Sequence, residues 1–586
     1  MMSTSARAVA AVTILLSAVM ASAAPAADAA RGGEVWVDPP TLHCAGVRWV
    51  VHDDANANAA VKVAYRRADA TTWKPAMDLL RVETEAIFPP PPPAGATLYA
   101  GSVFDLTPGT DYVLRLRLTD PDGGGQTFNV KLRTWSEPRA PKPKRVLHVR
   151  AGAAAGDGSS DKPFASPGQA DRASRPGDLV LLHAGTYRGP VRLRKSGTPD
   201  APIVWRGAGD GEAIFDGPAD GCCIDAGRIR HVFFEGLTVR NTARAMSLNG
   251  SSYVTVRRCR FLGVKSGIGA MRKQRRLFIA DCVFVGPRNW TRDGHNPKLG
   301  EHRAVELSGI GHVVAYNRIS GFRDGVDTRP AQPVQGIDIH NNDISECTDD
   351  GIELDYSQSN CRAYRNRITN CFMGITFQPS FGGPNYAVRN VMYNVTFETF
   401  KLHVSPPGKI TAGGVILHNT VVRKGPALRV WAGGSSRAGR FVLRNNLFVM
   451  GEADRAVDML TNIARSDWDY DVFAGGPFKL FGKYGRKSYP THKAFTAGTG
   501  LEAHGLVING SAGLFASGLG PPTDIRRKHP PKMNDPRLAP TSPAIDRGVP
   551  LPNINDGFRG KAPDAGAFEL GDPLPHYGPR PERKAR

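Results

Sequence analysis

The chain is poor in cysteine and has no long apolar run beyond its first two dozen residues. Eight cysteines in 586 residues are too few for a disulfide scaffold, and no C-x-x-C pair indicates a zinc site. Cys347 and Cys371 either pair or stay as buried free thiols. No later segment supplies the roughly 18 uninterrupted apolar residues that a membrane-spanning helix needs. We therefore expect no membrane span and no disulfide framework.

Acidic residues are outnumbered by basic ones. The chain has 75 Lys and Arg against 54 Asp and Glu, a net charge of +21, and a surface of this kind attracts nucleic acid or acidic polysaccharide. The first residues, MMSTSARAVAAVTILLSAVMASA, combine one Arg, an apolar run and small residues at Ala21 and Ala23. This pattern predicts a secretory signal peptide over 1–23. A secreted monomer, extracellular or periplasmic, is expected to bind acidic polysaccharide and no nucleic acid.

The segment 33–137 consists of short alternating runs, such as VKVAYRR and YVLRLRLTD, between turn-rich stretches. It resembles a fibronectin type III domain through LTPGTDYVLRLRLTD, in which Tyr112 follows a Pro-Gly turn, and through Trp49 and Tyr65. The resemblance implies a small β-sandwich, a fold that usually serves as a spacer or docking module. Residues 138–144 are expected to form an extended linker.

The larger part of the chain is repetitive. Asparagines at 317, 342, 366 and 390 each open a short β-branched segment, with gaps of 25, 24 and 24 residues. A repeat of this length without helical periodicity predicts a β-solenoid of about ten coils over 145–475. Stacked asparagine side chains can hydrogen-bond along the solenoid axis, so we expect these four residues to share one row of turns.

Residues 145 to about 570 resemble the right-handed parallel β-helix superfamily, whose best-known members are pectate-lyase-like proteins. The segments that carry the resemblance are Pro163-Phe164, Pro176-Gly177-Asp178, Gly185-Thr186-Tyr187 and the closing SPAIDRGVPLPNINDGFRGKAPDAGAFEL. The resemblance implies an all-β chain in which a small β-sandwich precedes a right-handed parallel β-helix, with 476–586 as a C-terminal extension or cap and a basic tail. The superfamily contains lyases, hydrolases, epimerases and phage adhesins, so the activity stays open.

Aligning the strand after each turn predicts two columns of outward-facing residues. The first column reads Glu306, Asp327, Glu353, Thr376, Lys401 and Arg429, and the second reads Ser308, Arg329, Asp355, Gln378, His403 and Trp431. Neighbouring strands lie about 4.8 Å apart, so the three carboxylates of the first column crowd together. Such crowding raises pKa values or demands a cation. The alternative is a structural network in which Arg329 and other basic residues neutralise the acids.

These columns suggest roles in the chemistry of an acidic polysaccharide. Ca²⁺ is the candidate cofactor, since it prefers oxygen ligands, and its candidate ligands are Asp327, Glu353 and Asp355. The candidate catalytic residues are Lys401 or His403 as base, Arg329 as a substrate clamp, and Glu306 as one half of a carboxylate pair. The candidate substrate-binding residues are Arg429, Trp431, Gln378 and Trp290.

Three functions fit this pattern. The favoured one is a polysaccharide lyase, or a C5-epimerase-type enzyme, which removes the proton alpha to a uronate carboxyl. The second is a glycoside hydrolase that uses Glu306/Asp327 or Asp327/Glu353, at the roughly 5 Å separation of retaining enzymes. The third is a non-catalytic polysaccharide-binding surface protein. Calcium dependence and an ultraviolet-absorbing unsaturated product distinguish the lyase, and the binding protein yields no product.

Overall fold

The structure is a computed structural model that describes residues 28–82, 92–272, 274–331, 333–403, 410–431 and 437–582. The expected signal peptide, 1–23, lies outside this range. The helices in the described residues are short: the α-helices Pro167–Ala173, Trp290–Asp293 and His492–Thr499, and the 3₁₀ turns Pro297–Leu299 and Pro531–Met533. None of these helices is long and apolar enough to cross a membrane.

The N-terminal unit is one antiparallel sheet that curls around its own core. Its seven strands, in spatial order, are Arg31–Val37, Ala45–His52, Ala96–Val103, Lys74–Arg81, Ala60–Arg67, Asp111–Thr119 and Gly125–Arg133. Trp49 lies fully buried in the centre, and the Tyr112 hydroxyl accepts a hydrogen bond from the Thr107 backbone N–H at 3.0 Å. A small β-unit before the β-helix is therefore confirmed, and its identification as fibronectin type III stays a prediction.

The described residues between 145 and 509 form a right-handed parallel β-helix, as predicted, and those after 509 add no strand to it. One of its faces is a sheet of thirteen parallel strands. In chain order these strands are Arg145–Val149, Asp178–Leu182, Ile203–Gly207, Arg230–Glu235, Ser252–Arg257, Phe278–Ala280, Val313–Ala315, Asp338–His340, Arg362–Tyr364, Asn385–Val388, Gly414–Leu417, Val442–Arg444 and Asp467–Asp469. Each coil contributes one strand to this sheet, so the prediction of about ten coils was too low.

The remaining wall is a sheet of nineteen strands, in two columns that fuse midway into long bent strands. In order they are Gly185–Arg188, Val191–Arg192, Ala213–Asp216, Cys222–Asp225, Thr238–Arg240, Arg244–Ser247, Arg260–Leu262, Ser266–Ala270, Val283–Val285, Arg303–Leu307, Arg318–Ser320, Asp324–Thr328, Asp343–Glu353, Arg367–Thr376, Val391–Lys401, Thr420–Lys424, Leu447–Gly451, Val472–Gly475 and Leu506–Asn509. Every second side chain of these strands points into one continuous apolar core.

Small sheets complete the described fold. They consist of Gly309–Ile310 with Val334–Gln335, of Ile410–Ala412 with Arg437–Gly439, and of Leu428–Val430, Val457–Met459, Gly482–Tyr484 and Lys487–Tyr489. Cys347 and Cys371 are aligned on adjacent strands and are buried free thiols. Of the two states expected for this pair, a disulfide or two buried free thiols, the free thiols are observed.

A ladder of asparagine side chains runs along one turn of the β-helix. The Asn366 Oδ1 accepts hydrogen bonds from the backbone N–H and the side chain of Asn342, at 3.1 and 3.0 Å, and its Nδ2 donates to the Ile339 carbonyl at 2.8 Å. The same pattern repeats along the row Asn317, Asn342, Asn366, Asn390, Asn419 and Asn446, which ends on Asp471. The predicted stacking is confirmed, and each amide satisfies buried backbone groups of its neighbours.

The N-terminal unit packs against the thirteen-stranded sheet, so it is not a free-standing spacer. Arg362, on that sheet, forms a fully buried ion pair with Asp338 at 2.5 Å and donates to the Ser102 hydroxyl at 2.9 Å. The Thr41 hydroxyl donates to the same Asp338 carboxylate, and the Asn360 side chain donates to Asp38 at 2.7 Å. Separating the two units would leave these buried polar groups unpaired, which holds them together.

We predict that Asn366→Ala lowers the free energy of unfolding by about 2–4 kcal/mol, because it leaves two or more buried backbone groups unsatisfied. The measurement is chemical denaturation followed by circular dichroism. Asn462→Ala, at an exposed position of the β-helix, is the control and should change stability little. Equal stability of the two variants would contradict a structural role for the ladder.

Candidate functional site

Acidic side chains stack on the outer face of three adjacent coils. The strand pairing aligns Glu306 with Asp327, and Asp327 with Glu353, as successive rungs, and continues through Thr376 to Lys401. The intervening residues, Val305, Val326 and Ile352, lie in the core. The alternation of the strand therefore turns the carboxylates away from the core, in the register that the repeat predicted.

A second acidic column lies three residues upstream, and the predicted columns did not include it. Arg303 pairs with Asp324 in register, and the Asp350 N–H donates to the Asp324 carboxylate at 3.3 Å on the next coil. Carboxylate oxygens of Asp324, Asp349 and Asp350 lie within 4.8 Å of one another, and so do those of Asp324, Asp327 and Glu353. We call Asp324, Asp327, Asp349, Asp350 and Glu353 the acid cluster.

Arg303 neutralises one side of the acid cluster. Its guanidinium lies 2.6 Å from an Asp327 oxygen, 3.2 Å from Asp324 and 3.4 Å from Glu306. Burial lowers the pKa of Arg303, but the carboxylates around it, Asp327 first, raise the pKa above its ordinary value. Glu306 and Asp327 are buried beneath this arginine, and the Asp327 side chain has no exposed surface. This side of the cluster is a compensated ion network.

The other side of the acid cluster is short of partners. The Asp350 carboxylate is 2% exposed and its Oδ1 has no hydrogen-bond partner among the described residues. Asp349 is better compensated, because Arg323 contacts it at 2.8 Å and His295 lies 3.6 Å away. The Glu353 Oε2 also lacks a partner within the described part of the chain. Unpaired buried carboxylate oxygens of this kind are costly unless a proton or a cation is present.

The pKa values of the acid cluster reflect this shortage of positive charge. Burial, together with the charges of Glu353 and Asp349, raises the pKa of Asp324 to about 8. Burial and the neighbouring Asp355 raise the pKa of Glu353 to about 7. Burial likewise raises the pKa values of Asp327 and Asp350. The cluster therefore retains protons at neutral pH unless a cation replaces them.

Lys401 lies beside the unsatisfied part of the cluster. Its Nζ is 3.8 Å from an Asp350 oxygen. Burial lowers the pKa of Lys401, but the charges of Asp350, Asp355 and their neighbours outweigh it and raise the pKa above its ordinary value. The amine is therefore protonated while those carboxylates carry their charge. The acids, and not Arg429 or His403, therefore dominate the environment of this amine.

Asp355, the remaining predicted calcium ligand, accepts hydrogen bonds from neutral donors. Its Oδ1 accepts hydrogen bonds from the Thr376 hydroxyl at 2.8 Å and from the Gln378 backbone N–H at 2.6 Å. It belongs to neither group of converging carboxylates in the described residues. Arg329 is half-buried, and its guanidinium lies 3.5 Å from Asp327. The structure thus brings Arg329, Asp355 and Gln378 to the border of the acid cluster.

The C-terminal end of the predicted columns forms a separate group around Glu398. The Glu398 carboxylate accepts the Trp431 backbone N–H at 2.7 Å and lies 3.3 Å from the buried His403 ring. Arg429 lies over the Phe397 ring at 4.9 Å, and the Trp431 side chain is 63% exposed. Only Trp431 among these residues offers a large free face, as expected of a residue that stacks on a sugar.

The segment 286–303, which precedes Glu306, does not present Trp290 to a substrate as predicted. Trp290 is buried in the helix Trp290–Asp293 and does not present its ring to solvent. His295, from the same segment, stacks on Phe372 with ring centroids 4.2 Å apart and reaches Asp349. The two predicted columns left out Asp324, Asp349, Asp350 and Arg303, because the aligned segments began at Val305, Val326 and Ile352, after these residues.

Comparison with known proteins adds only distant structural likeness. No protein-family model matches the chain, and no curated protein matches it. The chain is similar to the crystal structure of pectate lyase Pel9A, with 18% identity over 73% of this chain and 97% of that chain and a TM-score of 0.40. The complex of XylC with xylose is 12% identical over 62% of this chain and 86% of that chain, with a TM-score of 0.44. The catalytic domain of GH87 alpha-1,3-glucanase in complex with nigerose is 12% identical over 79% of this chain and 90% of that chain, with a TM-score of 0.34. At these scores the likeness carries no argument about the site.

We predict that, in chelator, the acid cluster makes the protein less stable as the pH rises from about 5 to about 8. Folded Asp324 keeps its proton up to a pKa of about 8, whereas an unfolded Asp loses it near about 4. The unfolded state therefore binds fewer protons in this window, and the free energy of unfolding falls as the pH rises.

The test compares thermal unfolding midpoints of the wild type and Asp324→Asn across this pH range. The Asp324→Asn midpoint should fall less, because one raised pKa has been removed. Asp220→Asn, at an exposed acid far from the cluster in sequence, should follow the wild type. Parallel curves for wild type and Asp324→Asn would show that Asp324 does not carry a raised pKa.

Proposed function

We propose that the protein is a calcium-dependent polysaccharide lyase that acts on an acidic, uronate-containing polysaccharide. The observation that carries the proposal is the position of Lys401, whose Nζ lies 3.8 Å from a cluster carboxylate with an unsatisfied oxygen. A lyase needs a base next to a site that neutralises the uronate carboxylate. Lys401 and the acid cluster supply these two parts side by side, on the outer face of the solenoid.

The acid cluster fits a calcium ion. Asp324, Asp349 and Asp350 offer converging carboxylate oxygens, and hard oxygen donors are what Ca²⁺ prefers. Glu353 lies beside this site, because one of its oxygens converges with those of Asp324 and Asp327. Asp327 is left out because Arg303 lies 2.6 Å from it, against 3.2 Å for Asp324, and Asp355 is left out because it accepts hydrogen bonds from neutral donors. A bound calcium ion would supply the positive charge that stabilises the carboxylate of the uronate.

Lys401 is the residue that we assign as the base. It takes the proton from C5, the electron pair of that C–H bond forms the C4–C5 double bond, and the C4–O bond breaks, with a solvent proton completing the new hydroxyl. The amine has to be neutral for this step. A cation at Asp349 and Asp350 would offset the carboxylate charges that hold the proton on Lys401, and burial would then favour the neutral amine. Arg329, at the border of the cluster, is placed to bind the substrate carboxylate.

The contacts of Arg303 argue against the glycoside hydrolase. A catalytic acid has to be free to give its proton to the leaving-group oxygen of the sugar. Glu306 and Asp327 both contact Arg303, at 3.4 and 2.6 Å, so both carboxylates of that pair are already engaged. The Asp327/Glu353 pair loses one member for the same reason. An epimerase uses the same proton abstraction and differs only in returning the proton.

Other features support a polysaccharide substrate at this face. The exposed Trp431 ring offers a stacking surface for a sugar, and Arg429 lies near it. The net charge of +21 attracts a polyanion from a distance. The strand order of the N-terminal unit and the Tyr112 hydroxyl bond fit the proposed fibronectin type III fold. Secretion follows from the signal peptide prediction and places the protein where such polysaccharides occur.

We predict that Lys401→Ala reduces turnover of the best acidic polysaccharide by about 10²–10⁴-fold, the usual contribution of a positioned base. The assay uses a panel of acidic and neutral polysaccharides, with and without chelator, and reads near-ultraviolet absorbance and reducing ends. Calcium binding, measured by calorimetry, should survive in Lys401→Ala and be lost in Asp350→Asn. Lys424→Ala, at an ion pair with Glu452 on the same sheet, is the control and should keep full activity.

Each remaining outcome has a defined meaning. Reducing ends without ultraviolet absorbance would show a hydrolase. Activity that persists in chelator, or full activity of Lys401→Ala, would contradict the assigned roles. No product from any polysaccharide, together with retained binding, would support the non-catalytic surface protein.

A further inference from the structure

A cavity of about 580 Å³ opens where three parts of the chain meet, away from the acid cluster. His43 and Asp105 come from the N-terminal unit, and Tyr364 comes from the thirteen-stranded sheet. The segment 567–576 closes the third side. The volume falls within the range of about 300–1,000 Å³ that is usual for ligand pockets, and a junction between domains is a common place for one.

Arg389 gives this cavity a positive charge that no carboxylate of the described residues contacts directly; Asp105, Glu569 and Asp572 lie nearby. Its guanidinium donates to the backbone carbonyls of Ala567 and Ile554, both at 3.3 Å, its Nε has no partner, and it forms no ion pair among the described residues. The other arginine of the wall, Arg365, is already neutralised by a two-fold contact with Asp105 at 2.7 and 2.9 Å. A half-buried guanidinium without a counterion favours an anionic ligand.

One histidine of the wall, His340, adds no charge. The Asn341 side chain donates to the His576 carbonyl at 3.0 Å, which turns its Oδ1 towards His340 Nδ1 at 2.9 Å. His340 therefore carries its proton on Nδ1, and burial lowers its pKa to about 4, so that the ring is neutral. Arg389 is the arginine of the wall that forms no ion pair among the described residues, and a single such guanidinium favours a ligand with a single negative charge.

The rest of the wall offers aromatic rings at its rim and hydrogen-bond acceptors. The exposed His576 lies beside the partly exposed Tyr316 at the rim, whereas Tyr364 and His340, whose ring centroids are 4.8 Å apart, are buried. Asp105 and Asp572 supply carboxylate oxygens, which repel a doubly charged phosphate more than a singly charged carboxylate and accept hydrogen bonds from hydroxyl groups. The lining therefore matches a hydroxyl-rich ring that bears one carboxylate.

We propose that this cavity is a second, non-catalytic binding site for a sugar acid of monosaccharide size, with the carboxylate on Arg389 and the ring against the aromatic rings at the rim. It is distinct from the acid cluster, because its sheet residues lie on the thirteen-stranded sheet and those of the cluster lie on the nineteen-stranded sheet. The site goes beyond the proposed lyase activity and does not depend on it.

The test is isothermal titration calorimetry of the full chain in chelator, with D-glucuronate, D-galacturonate, D-glucose and D-galactose as probes. We expect one uronate to bind per chain, at least about tenfold more tightly than the neutral sugars, since a charge-assisted hydrogen bond is worth about 1.5–3 kcal/mol. Arg389→Gln should weaken uronate binding about tenfold, and His576→Ala, at the exposed rim, should weaken it severalfold. Arg260→Gln, at an exposed ion pair elsewhere on the β-helix, should leave it unchanged.

Three results would overturn the proposal. Uronates that bind no better than the neutral sugars, or not at all, would exclude an anion site. Unchanged uronate binding in both Arg389→Gln and His576→Ala would exclude this cavity, and His576→Ala decides alone if Arg389→Gln fails to fold. Loss of uronate binding in Lys401→Ala would assign the binding to the acid cluster. Because chelator is present and no turnover is measured, failure here is distinct from failure of the lyase proposal.

Discussion

Parallel coils place the same position of successive repeats about 4.8 Å apart, so identical polar side chains in a row lie in contact and either hydrogen-bond to one another or repel one another. In the turn, asparagine satisfies itself, because an amide both donates and accepts, as Asn342 and Asn366 do. On the flat outer face the same geometry stacks carboxylates, which only accept. Asp327 and Glu353 therefore repel where Asn342 and Asn366 attract, and the electrostatics of the site follow from that difference.

Two cations act at opposite ends of the acid cluster, and they do so unequally. Of the stacked acids, Arg303 lies closest to Asp327, at 2.6 Å, and together with Glu306 these two residues form a buried structural network at that end. Lys401 lies 3.8 Å from Asp350 and leaves the other oxygen of that carboxylate without a partner in the described residues. In a purely structural network, cations would pair with the carboxylates at both ends of the cluster. On this ground we propose that a cation binds at Asp324, Asp349 and Asp350, where its charge would be coupled to the protonation of Lys401.

The β-helix, the asparagine ladder and the rungs from Glu306 to Lys401 could be predicted because they depend on the period of the repeat. The residues that contact those rungs could not be predicted. Asp324 and Asp350 lie two residues before the aligned segments, because the strands begin earlier than the alignment assumed. The burial of Trp290 and the docking of Asp38 onto Asn360 depend on contacts between distant segments, which a repeat does not encode. The unpaired state of Cys347 and Cys371 depends on side-chain packing and stayed open for the same reason.

The central claim is that a cation occupies the space between Asp324, Asp349 and Asp350. Crystals grown in chelator and then soaked in terbium(III), a trivalent ion with the oxygen preference of calcium, test it directly by anomalous diffraction. The account predicts one strong anomalous peak bounded by those three carboxylates and absent from crystals of Asp350→Asn. A wild-type map without a peak at that position, with the Lys401 ammonium filling the space instead, would contradict it.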